Sequence, residues 1–135
     1  MKHLPIVLAA CLLAYTFLPT PETPPPATGP VAQALRSAPS ADREFVASIY
    51  RSLADVVWRD AGQRLTTAAI WRAVHRDTLA LAVGSGPIKG KYPGLDTAVE
   101  ETLAKYYTLQ DTAMTPELVA KIIAACEDVE GQCRN

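Results

Sequence analysis

Apolar residues recur with the period of a helix in the stretch that follows Ser40. They fall every three or four positions from Phe45 to Val57, and charged side chains occupy the opposite face. Ser40 is placed as an N-cap, and Gly62 is placed to end the helix. The pattern therefore predicts an amphipathic helix between Ser40 and Gly62.

A second helix is predicted from Thr66 or Thr67, either of which can cap it, to about Val83. The segment Gly84–Pro87 ends it. We expect the apolar stripe of this helix to lie in the core, together with Trp58 of the helix before it. The stripe comprises Ile70, Trp71, Val74, Thr78, Leu81 and Ala82.

Two more helices are predicted in the C-terminal third of the chain. The run Thr97–Glu100 has the form of a capping box, and the run Thr115–Glu117 is typical of the start of a helix. Gly131 is placed to close the last helix. No stretch shows the alternation of a strand bounded by hairpin turns. The sequence therefore predicts an all-α fold, a small bundle of about four helices, to which a short leading helix at Val31–Ser37 can be added.

The N-terminal segment from Leu4 to Leu18 contains no charged residue and is apolar all round. Such a stretch is typical of a segment that enters a membrane, and its length falls between a signal-peptide core and a comfortable membrane span. Lys2 precedes it and the next lysine or arginine is Arg36, an asymmetry that keeps the N-terminus in the cytoplasm. We therefore expect the folded domain to lie outside the cytoplasm.

Three fates are open to this segment. In the first it stays as a membrane anchor, since no small-x-small cleavage pattern follows the apolar core. In the second it is cleaved, and the domain is secreted or periplasmic. In the third the run Leu8–Cys11, which resembles a bacterial lipobox, marks Cys11 for lipidation, although the apolar residues after Cys11 do not fit that motif.

A proline-rich segment, Pro19–Pro30, follows the apolar one. Proline fixes φ and removes amide donors, so neither a helix nor a sheet ladder runs through it. At about 3.1 Å per residue in polyproline II geometry, it forms a spacer on the order of 35 Å long. The predicted organisation is a signal peptide or anchor at 1–18, a linker at 19–39 and a helical domain at 40–135.

The charge balance gives no field that would attract nucleic acid. The formal net charge is −1, and 49% of the residues are apolar, which is normal for a globular domain. Arginines are concentrated between Arg36 and Arg76, and acidic residues beyond Gly84. We expect the two halves to pack against each other; an arginine face for an anionic partner is the alternative.

The loop Gly84–Gly94 is the best local candidate for binding. Its glycines and lysines could surround an anion, but the spacing and the preceding helix do not fit a P-loop. One interpretation is a connector between helices. The functional one is a partner-contact loop formed by Lys89, Lys91 and Tyr92.

Histidine and cysteine offer little chemistry in the folded part. His75, its only histidine, is interpreted as a surface or boundary residue, and no spacing is that of a metal or cofactor site. Cys126 and Cys133 can form a disulfide in an oxidising compartment, or remain one buried and one loose thiol. No catalytic residue is assigned.

The favoured function is a membrane-tethered, non-enzymatic accessory or interaction domain of a bacterial or phage-type envelope. It would contact the membrane through residues 4–18 and a protein partner through the domain. The first alternative is an enzyme or small-ligand binder whose site assembles from distant residues such as His75, Lys91, Tyr92 and one of the carboxylates. The second is a structural component of an envelope layer or phage particle, which would associate with itself.

Overall fold

The computed structural model describes residues 28–108 and 112–134. This part of the chain is helical and contains no strand, which confirms the predicted all-α class. The four predicted helices and the short leading one are present, and a turn of 3₁₀-helix, Gly86–Ile88, follows the third α-helix. The α-helices are α1 (Pro30–Ala34), α2 (Ser40–Asp60), α3 (Ala68–Gly84), α4 (Leu95–Ala104) and α5 (Pro116–Arg134).

Two helices begin at the predicted caps. The Thr67 hydroxyl accepts a hydrogen bond from the amide of Ile70 at 3.3 Å at the start of α3. The Thr115 hydroxyl accepts one from the amide of Leu118 at 3.2 Å at the start of α5. Each bond satisfies an amide that has no partner within its own helix, which is why threonine is favoured at these positions.

Three helix ends differ from the prediction. Ser40 is already the first residue of α2 and follows Pro39, so the serine is not its cap. α4 begins at Leu95, before the predicted capping box, and α5 continues through Gly131. Leu95 and Cys133, in the extended parts of α4 and α5, are both 0% exposed. Burial in the core therefore extends both helices beyond their local signals.

The core is built on the antiparallel pair α2 and α5. Arg51 contacts Glu130 at 3.2 Å and Glu44 contacts Arg134 at 2.9 Å, so residue numbers rise along one helix as they fall along the other. Ion pairs at the surface contribute little, and the buried apolar faces hold the pair together. Those faces comprise Val46, Ala47, Tyr50, Leu53, Val57, Ile122, Ala125, Cys126 and Val129.

α1 belongs to the folded domain, although the sequence analysis places it in the linker 19–39. Val31 and Leu35 are 0% and 1% exposed and join the core. The side-chain oxygen of Gln132 accepts hydrogen bonds from the amides of Val31 at 2.9 Å and Ala32 at 3.1 Å. These amides need a partner because they begin a helix. The partner is 101 residues away from Val31, so no local pattern indicates it.

The two tryptophans, both expected in the core, lie in opposite environments. Trp71 is 0% exposed, whereas Trp58 is 74% exposed. The expectation for Trp58 is wrong because the helical period places it two turns after Arg51 and nearly one turn after Asp55. Both of these residues are exposed, so Trp58 shares their outer face of α2.

The predicted membrane segment at 4–18, the lipidation candidate Cys11 and most of the proline-rich spacer lie outside the described residues. Within the ranges 28–108 and 112–134, no helix combines the length and the apolar character that crossing a bilayer requires. The N-terminal part of the predicted architecture stays a prediction.

Candidate functional site

His75 lies in the interior, where α3 meets α2 and α4. It is 3% exposed, and its Nε2 atom lies 2.9 Å from the hydroxyl oxygen of Tyr50. Its ring stacks on the indole of Trp71 with the ring centroids 5.7 Å apart, and its Nδ1 atom lies 3.8 Å from Oε1 of Glu100. The interpretation of His75 as a surface or boundary residue is therefore wrong.

Burial sets the protonation states in this histidine cluster. It lowers the pKa of His75 to about 4, so the imidazole is neutral near pH 7 and its contact with Glu100 is not an ion pair. Burial also raises the pKa of Tyr50 well above its ordinary value, so the phenol keeps its proton. We assign that proton as donated to Nε2 of His75, which leaves the ring proton on Nδ1, facing Glu100.

The histidine cluster is closed to a substrate. Tyr50 and Trp71 are each 0% exposed, and the Trp71 indole donates a hydrogen bond to the Tyr107 hydroxyl at 2.9 Å. A general acid or base must reach the proton that it transfers, and His75 offers no open side for that contact. The cluster therefore acts within the fold, where it fixes α3 against α2 and α4.

The predicted partner-contact loop is held onto the start of α2. The Tyr92 hydroxyl donates a hydrogen bond of 2.7 Å to Oδ2 of Asp42, and Nζ of Lys91 lies 3.5 Å from the same oxygen. Asp42 is 5% exposed, and its hydrogen bond raises the pKa of Tyr92. Lys91 and Tyr92 thus make contacts within the chain, and Lys89 is exposed. A role of this loop in partner binding stays a prediction.

Cys126 and Cys133 are free thiols, and both are buried on α5. Seven positions of α-helix separate them by about 10 Å along the axis, which exceeds the roughly 7 Å between Cα atoms that a disulfide tolerates. Burial raises the pKa of each thiol to about 12, so both stay protonated. The disulfide between Cys126 and Cys133, one of the two alternatives from the sequence, is therefore absent from this helix. In the other alternative Cys133 is an unburied thiol, whereas the structure buries it.

The residues named for a distributed site fall into two separate groups. His75 is paired inside the closed cluster, whereas the polar contacts of Lys91 and Tyr92 are with Asp42. Among the residues that the structure describes, no three His, Cys, Asp or Glu side chains are grouped so that they could hold a metal ion.

An open apolar groove of about 420 Å³ lies between the N-terminal half of α2 and the C-terminal half of α3. Leu81 is one of the residues that line it and is 72% exposed. Large apolar side chains grouped around an open groove are typical of binding surfaces in soluble proteins. The groove, called the α2–α3 groove below, is lined by Phe45, Ile49, Asp77, Thr78, Leu81, Ala82, Ser85 and Gly86.

α3 is apolar on two sides, which explains why the groove is open. Its inner side buries Trp71 and Leu79, whereas its outer side exposes Leu81 and leaves Ile70 40% exposed. A helix of a soluble domain normally turns one apolar side to the core and polar residues to the water. In the described part of the chain, the other helices cover only the inner side of α3.

The groove could not be predicted from the apolar stripes of the sequence alone, because the helical period places Phe45, Ile49 and Leu81 in stripes of the kind that face a core. One signal was available. Successive residues of a helix point about 100° apart, so Ile70 and Leu81 cannot face the same way as the residues that follow them. Those residues, Trp71 and Ala82, are buried. The predicted stripe on α3 was therefore too wide for one buried face.

Comparison of this chain with known protein families, with curated proteins and with solved structures found no match.

Proposed function

We propose that the protein is a membrane-tethered, non-enzymatic interaction domain that takes up a protein partner on the α2–α3 groove. The observation that carries the proposal is the exposure of Leu81, at 72%, beside the groove walls Phe45 and Ile49. Apolar surface left in water is unfavourable by about 25 cal/mol per Å², so a partner that covers it gains free energy. The groove therefore supplies the driving force for association.

The tether is the second part of the proposal, and the sequence supports it. The uncharged apolar segment 4–18 would enter a bacterial or phage-type envelope membrane, and the spacer Pro19–Pro30 would hold the domain outside the cytoplasm. Confinement to a membrane raises the effective concentration of the groove near partners in the same envelope.

Two observations favour an interaction domain over an enzyme or small-ligand binder. His75, the folded part's only histidine, is 3% exposed and paired with Tyr50. The lining of the α2–α3 groove is apolar apart from Asp77 and three small polar or glycine positions, and it lacks a nucleophile paired with a base. Such a surface suits binding rather than bond making.

Site-specific photo-crosslinking of the full-length chain in its native membranes tests the proposal. A benzophenone side chain at Leu81 keeps the groove apolar, and the same group at Ala120 on the exposed side of α5 is the matched control. We expect a discrete adduct of the chain with another protein from position 81 and none from position 120.

Three outcomes would contradict the proposal. Equal labelling from both positions would mean that the groove is not a specific surface. An adduct of two copies of the chain would favour the structural-component alternative instead. Turnover of a small molecule by the purified full-length chain, retained after Leu81→Glu, would favour the enzyme.

A further inference from the structure

Four exposed or partly exposed residues of α3 form a line that matches the spacing of a helix–helix contact. Ile70, Val74, Asp77 and Leu81 follow one another at intervals of four, three and four positions. Residues at these intervals lie on one face of a helix, and from the first to the last they extend about 16 Å along its axis. Three turns of a partner helix would cover this length.

α2 supplies the second wall of the same surface. Phe45 and Ile49 are one turn apart on α2 and line the groove together with Leu81. Two helices with a groove between them form a binding site for a third helix, because a ridge of side chains on the third helix packs into the groove. The shape therefore favours a helix over a flat or extended partner.

Asp77 gives this surface its charge. It is the one charged side chain among the groove residues, and it is exposed in the middle of the line on α3. A carboxylate surrounded by apolar residues loses water when a partner covers the surface, and this costs free energy unless an opposite charge meets it. The partner that fits best therefore carries a cation at the centre of its apolar face.

The same residue argues against a second copy of this chain as the occupant. In a two-fold symmetric contact centred on this line, the two copies of α3 run antiparallel, and Asp77 of one copy lies opposite Val74 of the other. The carboxylate would then be covered by an apolar side chain without meeting a cation, which costs free energy.

We propose, on the basis of the function proposed above, that the partner is an amphipathic helix. It lies along α3 in the α2–α3 groove and places one lysine or arginine opposite Asp77. The apolar walls supply the affinity. The pairing with Asp77 selects the partner and fixes its register.

The test uses three synthetic amphipathic helices of about 18 residues, long enough to cover the line on α3. They share one leucine face and differ at its central position, which is lysine, glutamine or glutamate. Fluorescence anisotropy measures their binding to the full-length chain in lipid nanodiscs. The Leu81→Glu chain in the same nanodiscs is the blank that removes binding to lipid.

We expect the lysine peptide to bind about five- to tenfold more tightly than the glutamate peptide, with the glutamine peptide between them. Asp77→Asn should make the affinities of the three peptides similar, with that of the glutamine peptide unchanged. Asp77→Lys should reverse the ranking, so that the glutamate peptide binds most tightly. Added salt should reduce the differences in affinity among the three peptides for the wild-type chain.

The outcomes separate this inference from the proposed function. Binding that depends on Leu81 but is the same for all three peptides overturns the inference and keeps the interaction domain. Self-association of the wild-type chain through Leu81, seen by sedimentation, also overturns it, because the occupant is then a second copy. If no peptide binds more tightly to the wild-type chain than to the Leu81→Glu chain, the groove is not a docking site and both proposals fail.

Discussion

The inner and outer sides of α3 both carry large apolar residues, but the two sides have different roles. On the inner side, Trp71 and His75 are buried, and their polar atoms are paired with the side chains of Tyr107 and Tyr50. On the outer side, Ile70 and Leu81 remain exposed, and Leu81 lines the α2–α3 groove. The inner side has its polar atoms paired and its apolar surface buried within the chain, so it stabilises the fold. The outer side leaves apolar surface exposed, and we assign the function to it.

The largest expected difference between the two sides is in stability. Trp71→Ala removes a fully buried indole and should lower the free energy of unfolding by about 3–5 kcal/mol. Leu81→Ala removes an exposed side chain and should change it by less than about 0.5 kcal/mol. Urea unfolding of the purified chain measures both. Similar losses for the two variants would contradict the assignment of the two sides.

Acid should weaken the inner side through His75. Its pKa is about 4 in the folded chain and 6.5 ordinarily, so the unfolded chain takes up its proton first as the pH falls. Stability should therefore fall between about pH 6.5 and pH 4, by about 3 kcal/mol in all. The groups that face the ring are Tyr50, Glu100 and Trp71.

The control for the acid effect is His75→Phe, which keeps a flat apolar ring and removes the titration. Comparison of urea unfolding at several pH values should show a weaker pH dependence for the variant over the same range. If the variant and the wild-type chain lose stability equally on acidification, the histidine cluster is not the cause.

A smaller effect is expected from the hydroxyl of Tyr50. Tyr50→Phe keeps the packing but removes the donor to Nε2 of His75, leaving a buried acceptor without its partner. The free energy of unfolding should fall by about 1–3 kcal/mol. The matched control is Tyr50→Phe in the His75→Phe chain, where the acceptor is absent and the loss should be smaller. An equal loss in the two backgrounds would count against the hydrogen bond between Tyr50 and His75 as the cause.

The smallest effect on stability, with a large one on binding, is expected from Leu81→Glu. The side chain is 72% exposed, so the thermal midpoint should stay close to that of the wild-type chain. The adduct formed by a benzophenone at Ser85, at one end of the groove, should disappear in this variant. A fall in the thermal midpoint comparable to that of Trp71→Ala would mean that Leu81 belongs to the core.

The main helices could be predicted from the sequence because their signals are local. Thr67 and Thr115 are caps a few residues from the amides that they satisfy, and the apolar period of α2 is visible within its own length. For α1 the sequence indicates a short helix at Val31–Ser37 but not the part of the chain against which it packs. The amides at its start are satisfied by Gln132, at the far end of the chain.

The candidate site was harder to predict because helical period alone does not show which apolar side is covered. Leu81 and Trp71 belong to the same predicted stripe, yet one is exposed and the other buried. His75 was misjudged for a related reason. Its neighbours Arg72 and Arg76 indicated a polar side, whereas the hydroxyl of Tyr50 on another helix pairs with it in the interior.

Protection of the groove in native membranes tests the central claim most directly. Ser85→Cys places a thiol at the exposed end of the groove with little change in shape, and Ala120→Cys places one on the exposed side of α5, outside the groove lining. A membrane-impermeant maleimide is applied to the full-length chain, in membranes and after purification, with the parental chain as the blank. The account predicts that Cys at position 85 reacts several times more slowly in membranes, while Cys at position 120 reacts equally in both. Equal reaction at position 85 in the two preparations would contradict it.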